Sequence, residues 1–188
     1  MPRIIGRNVM LREYMHEDIR FIDRWVNDKA TTRMLDPNVF TFPRPLEKTA
    51  EFVAENIEHG GPAFVIANVQ NGEYIGQIDL HNVNYRHRSA EMGIVIGVSK
   101  HRHSGYGTEA IELLLKFAFE EMNLNRISLH VLEYNTSAIA CYEKLGFVRE
   151  GVLRQAHWGE GKYADLLVYG ILREEWERQS QRKPINQP

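Results

Sequence analysis

The residues best suited to chemistry stand in the stretch Arg102 to Thr108, RHSGYGT, between an apolar run (MGIVIGV) and a long helical pattern. Gly105 and Gly107 permit left-handed backbone and remove side chains that would block a close approach. The helix that begins near Gly107 offers unpaired N–H groups and the positive end of its dipole. Arg102 and the hydroxyls of Ser104 and Thr108 add donors, and the set suits a phosphate. It is not a Walker A loop, which needs Gly-Lys-Ser/Thr, nor the dinucleotide fingerprint, which needs G-x-G-x-x-G after a first strand. Taken alone, the loop is equally an ordinary glycine-rich turn between a strand and a helix.

A second candidate set lies in NTSAIACY. Asn135 and Tyr142 are seven residues apart, two helical turns, and so fall on nearly one face. Asn135 ends the strand RISLHVLE, beside the strand that feeds the glycine loop. A phosphate cradle, an amide and a phenol can therefore converge along one groove. The single cysteine, Cys141, sits about 100° around the helix from Tyr142 and reads as a small buried hydrophobe. A nucleophilic role for it would need a nearby base and orienting group, and the motif contains neither. Eight histidines invite a metal reading. His101 with His103 and His81 with His87 form no His-Glu-x-x-His and have no companion cysteines, so no metal is expected.

Periodicity supplies the elements that must position these residues. NVMLREYM reads as a first strand. HEDIRFIDRWVNDKA is a helix, with Ile19, Ile22, Trp25 and Val26 at helical spacing and Asp18 near its start. TTRMLDPNVFTFPRPL is irregular and long for a loop, which favours a site border. EKTAEFVAENIEHGG is a second helix stopped by Gly60 and Gly61. PAFVIANVQ and EYIGQIDLHNVNY form a hairpin across Asn71-Gly72, and SAEMGIVIGV is a further strand. GTEAIELLLKFAFEEMN is a third helix with Ile111, Leu114, Leu115, Ala118, Phe119 and Met122 on one face. NTSAIACYEKLGF is a fourth, with Asn135 as N-cap and Gly146 as its stop. VREGVLRQAHW and YADLLVYGILREEW read as a final strand pair. The central strand–helix–strand–helix order requires a parallel pair between antiparallel hairpins, hence one mixed α/β (α+β) sheet covered by about four helices. One domain is expected over residues 1–178, with 179–188 as a mobile tail.

Composition narrows the function. The chain has 188 residues, 43% hydrophobic and 26% charged, with a formal charge of −2. That builds one domain with a sizeable core. No basic excess points to nucleic acid, and the aromatics Trp25, Phe40, Phe42 and Trp158 read as core or rim rather than a base-stacking platform. A lone cysteine excludes an internal disulfide. No signal-peptide block or membrane-length apolar stretch is present, so no membrane partner and a cytoplasmic location are expected. A homodimer is the default assembly of such proteins, though no sequence feature specifies one.

The Arg-x-x-Gly-x-Gly of RHSGYG, the following TEA, and NTSAIACYEKLGFVREG together resemble the GNAT superfamily of N-acetyltransferases, over about Tyr74 to Trp176. The two motifs in this order and spacing, with EKLGF after the tyrosine, form a specific pattern. NYRHRSAEMGI and REGVLRQAHWGEGKYADLLVYGIL are similar to the branch of ribosomal-protein N-terminal and spermidine acetyltransferases. The acidic N-terminal segment associated with spermidine enzymes is not evident. The resemblance implies a mostly antiparallel, twisted sheet and acetyl-coenzyme A as donor. The pyrophosphate would lie on the amides of His103, Ser104, Gly105, Tyr106, Gly107 and Thr108, aided by Arg102. The pantetheine arm would pair strand-like near Ile96 and Val98.

The implied reaction is direct attack of an amine on the thioester. An alkylamine with a pKa near ~10 costs roughly 4 kcal/mol to deprotonate at pH 7. Glu91, in SAEMGI, is the candidate base; the competing reading is a surface or structural glutamate. Tyr142 is the candidate general acid for the leaving thiolate, since a thiol near ~8.5 and a phenol near ~10 are not badly mismatched. Asn135 is expected to orient the donor arm or the tyrosine, or simply to cap its helix. The acceptor groove should lie opposite the donor. Asp36, Asp79, Glu160 and Asp165 would attract a cation there, whereas Arg33, Arg44, Arg86 and Arg88 would attract an anion. A protein N-terminus, a polyamine and an amino sugar all fit. The alternative function is a sensor of the same fold that holds coenzyme A without turnover.

Overall fold

A computed structural model describes residues 3–35 and 42–182. Its frame is one eight-stranded sheet in the order β1-β2-β3-β4-β5-β6-β8-β7. β1 is Ile4–Ile5, β2 Val9–Arg12, β3 Ala63–Asn68, β4 Tyr74–Asn84, β5 Ser89–Val95, β6 Arg126–Leu132, β7 Val148–Gly159 and β8 Lys162–Leu172. Every pairing is antiparallel except β5 with β6. The parallel pair is joined through the helix Tyr106–Lys116, the kind of crossover that parallel neighbours need. Asn71 and Gly72 do turn the β3–β4 hairpin. They do so in a longer loop, in which Gly72 N–H reaches the Asn68 carbonyl and Gly72 holds a φ of 71°.

Six α-helices occur among the described residues: α1 Ile19–Val26, α2 Lys29–Thr32, α3 Leu46–His59, α4 Tyr106–Lys116, α5 Thr136–Lys144 and α6 Arg173–Arg182. The count exceeds the expected four for two reasons. The first expected helix breaks after Val26, and Asp28 then caps the short α2 by accepting from Ala30 N–H. The expected last strand stops at Leu172, because Arg173–Arg182 is helical, anchored by Trp176 beside Phe119. Residues 179–182, assigned to the mobile tail, therefore belong to α6. Residues 183–188 lie outside the described residues, as do Asp36 and Phe40.

The sheet divides the core in two. Strand residues alternate faces, so Phe64, Ile66, Ile78, Leu80 and Met92 pack with Ile111, Leu114 and Leu115 of α4 on one side. Val65, Ala67 and Tyr74 pack with Ile22, Trp25 and Val26 of α1 and Val53 of α3 on the other. The second side also encloses polar contacts. Arg12 and Asp18, each about 3% exposed or less, form a bidentate pair at 2.7 and 2.8 Å, and Asp18 also accepts from Met15 N–H at 2.8 Å. Asp18 thus fixes the entry into α1. On the first side, Glu109 of α4 accepts from the amides of Arg7, Asn8 and Val9 and so clamps the β1–β2 turn to the helix. No described helix is long and apolar enough to cross a membrane.

Removing one member of a buried ion pair strands the other charge. Asp18→Ala is expected to lower unfolding stability by about 3–5 kcal/mol, measured by urea titration.

Candidate active site

The site begins where the parallel pair fails. β5 and β6 pair only at Ser89–Arg126, Ala90–Ile127 and Glu91–Ser128. Beyond Glu91 and Ser128 the strands diverge, although β5 runs on to Val95 and β6 to Leu132. Both unpaired stretches line a cleft of about 1120 Å³. The N-terminus of α4 opens on it through His103, Gly105, Gly107 and Thr108, and α5 through Asn135, Ala138, Cys141 and Tyr142. The predicted glycine loop, amide and phenol therefore share one groove.

The glycine loop has the geometry of an anion cradle. His103 and Gly105 both lie in the left-handed region, at φ 60° and 81°. The first helical bond is Glu109 N–H to Gly105 C=O at 3.1 Å, and the amides of residues 103–108 find no acceptor among the described residues. A Cβ on Gly105 would meet nothing within 4 Å, and one on Gly107 would touch only the Ile94 and Ile96 side chains at 3.7 Å or more. Free donors facing open space fit a diphosphate.

Arg102, expected to aid the diphosphate, lines the cleft and also braces the loop. Its Nε donates to the Ile96 carbonyl at 3.2 Å and its Nη2 to Thr31 Oγ1 at 2.6 Å. These two bonds tie the loop to the end of β5 and to α2. Ile96 lines the cleft, whereas Val98, Ser104 and Tyr106 do not. Val98 spends its N–H on Ile75 and its carbonyl on His101. Ser104 Oγ turns back to the Arg102 carbonyl at 3.4 Å, and Tyr106 packs on His101 with ring centres 5.5 Å apart.

Tyr142 is 7% exposed, and its ring packs edge-on against Phe147. Its hydroxyl has no hydrogen-bond partner among the described residues. Burial, with the neighbouring Cys141 adding, pushes the phenol well above its ordinary value. That widens the mismatch with an ordinary thiol, but a thiolate forming beside the buried phenol is destabilised by the same desolvation. Asn135 does cap α5, its Oδ1 accepting from Ala138 N–H at 3.3 Å, while its Nδ2 reaches the Met34 carbonyl at 3.4 Å. Cys141 is half-buried rather than fully enclosed. Its thiol, pushed up by burial, lies 3.2 Å from Thr108 Oγ1 and joins the first turn of α4 to α5.

Glu91 lies at the last paired position of the splay and lines the cleft. It does not stand alone: His81 Nε2 is 3.4 Å from Glu91 Oε2, and His81 Nδ1 is 2.9 Å from Asp79 Oδ2. Sequence reasoning treated His81 and Asp79 separately and missed this cluster. The available signal was their i, i+2 spacing on a strand, which puts both on one face. Among the described residues no group of such side chains is arranged to hold a metal ion. Of the other acceptor-groove charges, Arg33 lines the cleft. Arg88 is bonded to Asn123, Arg44 to Lys48, and Asp165 to Gln155 N–H. Glu160 sits near Lys29, 3.9 Å away, and Trp158 packs edge-on against Tyr163 in the β7–β8 hairpin. Asp36 falls outside the described residues.

Comparison with known proteins agrees with this geometry. Residues 8–148 match the family model for an acetyltransferase (GNAT) domain. A spermidine N(1)-acetyltransferase of Vibrio cholerae is 31% identical over 184 residues, spanning 94% of this chain and 100% of that protein. A putative ribosomal N-acetyltransferase of Bacillus subtilis, YdaF, is 28% identical, over 81% of this chain and 96% of its own length. Among solved structures, spermidine N-acetyltransferase from Vibrio cholerae in complex with CoA and spermine superposes with a TM-score of 0.80 at 29% identity, covering 92% of this chain and 99% of that one. A cleft built on a splayed parallel pair, a free-amide loop at its mouth and these near full-length likenesses lead to one conclusion: the chain belongs to the GNAT acetyltransferase family, whose members transfer acetyl groups to amines from acetyl-CoA.

Proposed function

We propose that the protein acetylates a primary alkylamine by direct transfer, with polyamines the first acceptor class. The observation that carries this reading is that one cleft holds both the free-amide loop at residues 103–108 and the carboxylates of Asp79 and Glu91. The loop amides hold the donor's diphosphate, and the unpaired edges of β5 and β6 take its arm as an added strand. The donor supplies an activated acyl group; the chain supplies position and proton transfer. Asp79 and Glu91 attract the ammonium, and Glu91 removes its proton. Tyr142, kept protonated by burial, donates to the sulfur as the thiolate forms. The intact Tyr142 favours catalysis over mere ligand sensing. Spermidine acetyltransferases among the relatives support a polyamine over an anionic acceptor.

We further infer a homo-oligomer. β7 is an edge strand exposed along most of its twelve residues, and such edges invite pairing. A Vibrio cholerae relative is described as dodecameric.

Tyr142→Phe is expected to lower kcat by about 10²-fold or more in a thiol-release assay with spermidine, with donor affinity unchanged by calorimetry; an unchanged rate removes the acid role. Gly105→Val places a branched side chain in the open space of the cradle and strains the loop by about 1–2 kcal/mol. It should abolish measurable acetyl-CoA binding while the melting temperature falls only slightly; retained affinity refutes the cradle.

A further inference from the structure

The cleft wall carries a chain of three titratable side chains that the mechanism above uses only in part. Asp79 and His81 share a face of β4, and Glu91 is the direct cross-strand partner of His81 on β5. Gly93, opposite Asp79, makes the room: a Cβ there would lie 2.8 Å from Asp79 Oδ1 and 3.6 Å from His81 Cε1. The imidazole is thereby aimed. Nδ1 is held by Asp79 at 2.9 Å, Nε2 faces Glu91 at 3.4 Å, and the side chain stays 48% exposed. With its Nδ1 proton donated to Asp79, a neutral ring presents the Nε2 lone pair to Glu91.

We propose that His81 is the relay through which the acceptor's proton leaves: Glu91 takes it from the amine, passes it to His81 Nε2, and the imidazole releases it to solvent. This rests on the acetyl-transfer reading and deepens it. An ammonium nitrogen loses two protons in becoming an amide nitrogen. One leaves through Glu91 and His81. The other ends on the coenzyme sulfur by way of the Tyr142 hydroxyl, as the C–N bond forms and the C–S bond breaks.

The chemistry favours this route over a carboxylate alone. An ordinary carboxylate near ~4.3 is a poor resting place for a proton from an amine near ~10, and an imidazole near ~6.5 is about a hundredfold better. A base is most effective with a pKa near the working pH. The hydrogen bond to Asp79 raises the His81 pKa most; burial opposes this, and the charge of Glu91 adds to it. Asp79 on β4 and Glu91 on β5 are the charged groups acting on it, and His130 of β6 lines the facing wall across the splay.

The test is the pH profile of kcat/KM for the full chain with spermidine and saturating acetyl-CoA, for wild type, His81→Gln and Asp79→Asn. Wild type should show an ascending limb centred above the ordinary histidine value of about 6.5. Asp79→Asn should move that limb to lower pH. His81→Gln should abolish it and lower kcat/KM by about 10²-fold at pH 8, with acetyl-CoA affinity and melting temperature retained. A limb that stays at the wild-type position in His81→Gln, whatever the rate, overturns the relay, because a purely structural role lowers activity without moving the limb. If wild type binds acetyl-CoA but acetylates no amine in a panel, the transfer reading itself falls, and the relay falls with it.

Discussion

The functional architecture depends on a hydrogen-bond ladder that stops after three residue pairs. β5 and β6 begin side by side and then part, yet neither loses its other neighbour. Gln77–His81 of β4 hold β5 as far as Val95, and Leu166–Leu172 of β8 hold β6 along its whole length. The two inner edges are left with main-chain donors and acceptors that the sheet cannot satisfy. Buried backbone groups demand partners, so the gap is a standing invitation to an extended, amide-bearing ligand. The wedge is cut into a sheet that is paired on both flanks.

What keeps the wedge open is packed beneath its walls. On the α1 side a buried relay runs from Trp25 Nε1 to Tyr74 Oη at 2.9 Å, from Tyr74 to Gln77 Oε1 at 3.0 Å and from Gln77 Nε2 to Tyr14 Oη at 2.8 Å. Such networks fix geometry because every member satisfies the next. Tyr14, Trp25 and Gln77 also line the cleft, so part of the wall is built from buried, mutually hydrogen-bonded groups. At the mouth, Arg102 ties the glycine loop to Thr31. Thr108 with Cys141 joins α4 to α5 across the opening.

Two electrostatic environments face each other over this slot. Tyr142 sits in apolar packing, where burial resists ionisation. The Asp79–His81–Glu91 wall stays partly wet, where charge is tolerated and protons exchange with solvent. The proposed transfer, which sheds one proton and delivers another, would draw on this asymmetry. Burial supplies it on the α5 side, and the exposed β4–β5 face supplies it on the other.

Much was legible in the residues themselves. Local rules suffice for helix caps and turns, so Asn135, Gly146, the glycine loop and the strand–helix–strand centre could be read directly. The continuation Arg173–Arg182 was not legible, because a strand's apolar alternation ran straight into it and its docking depends on Phe119, far away in the chain. The bonds of Arg102 to Thr31 and Ile96 were not legible either, since nothing local shows that those residues come within its reach. The His81 cluster shows the limit most clearly. A register carried unbroken from Asn84–Ser89 would set His81 against Met92. A β-bulge, with Asn82 at φ 50°, shifts it by one so that His81 meets Glu91. One inserted residue reverses which side chains share a face. Short-range propensities therefore determined most elements and the turn of the glycine loop. The tertiary structure alone decided which charges meet, because register and splay are set by packing between distant segments.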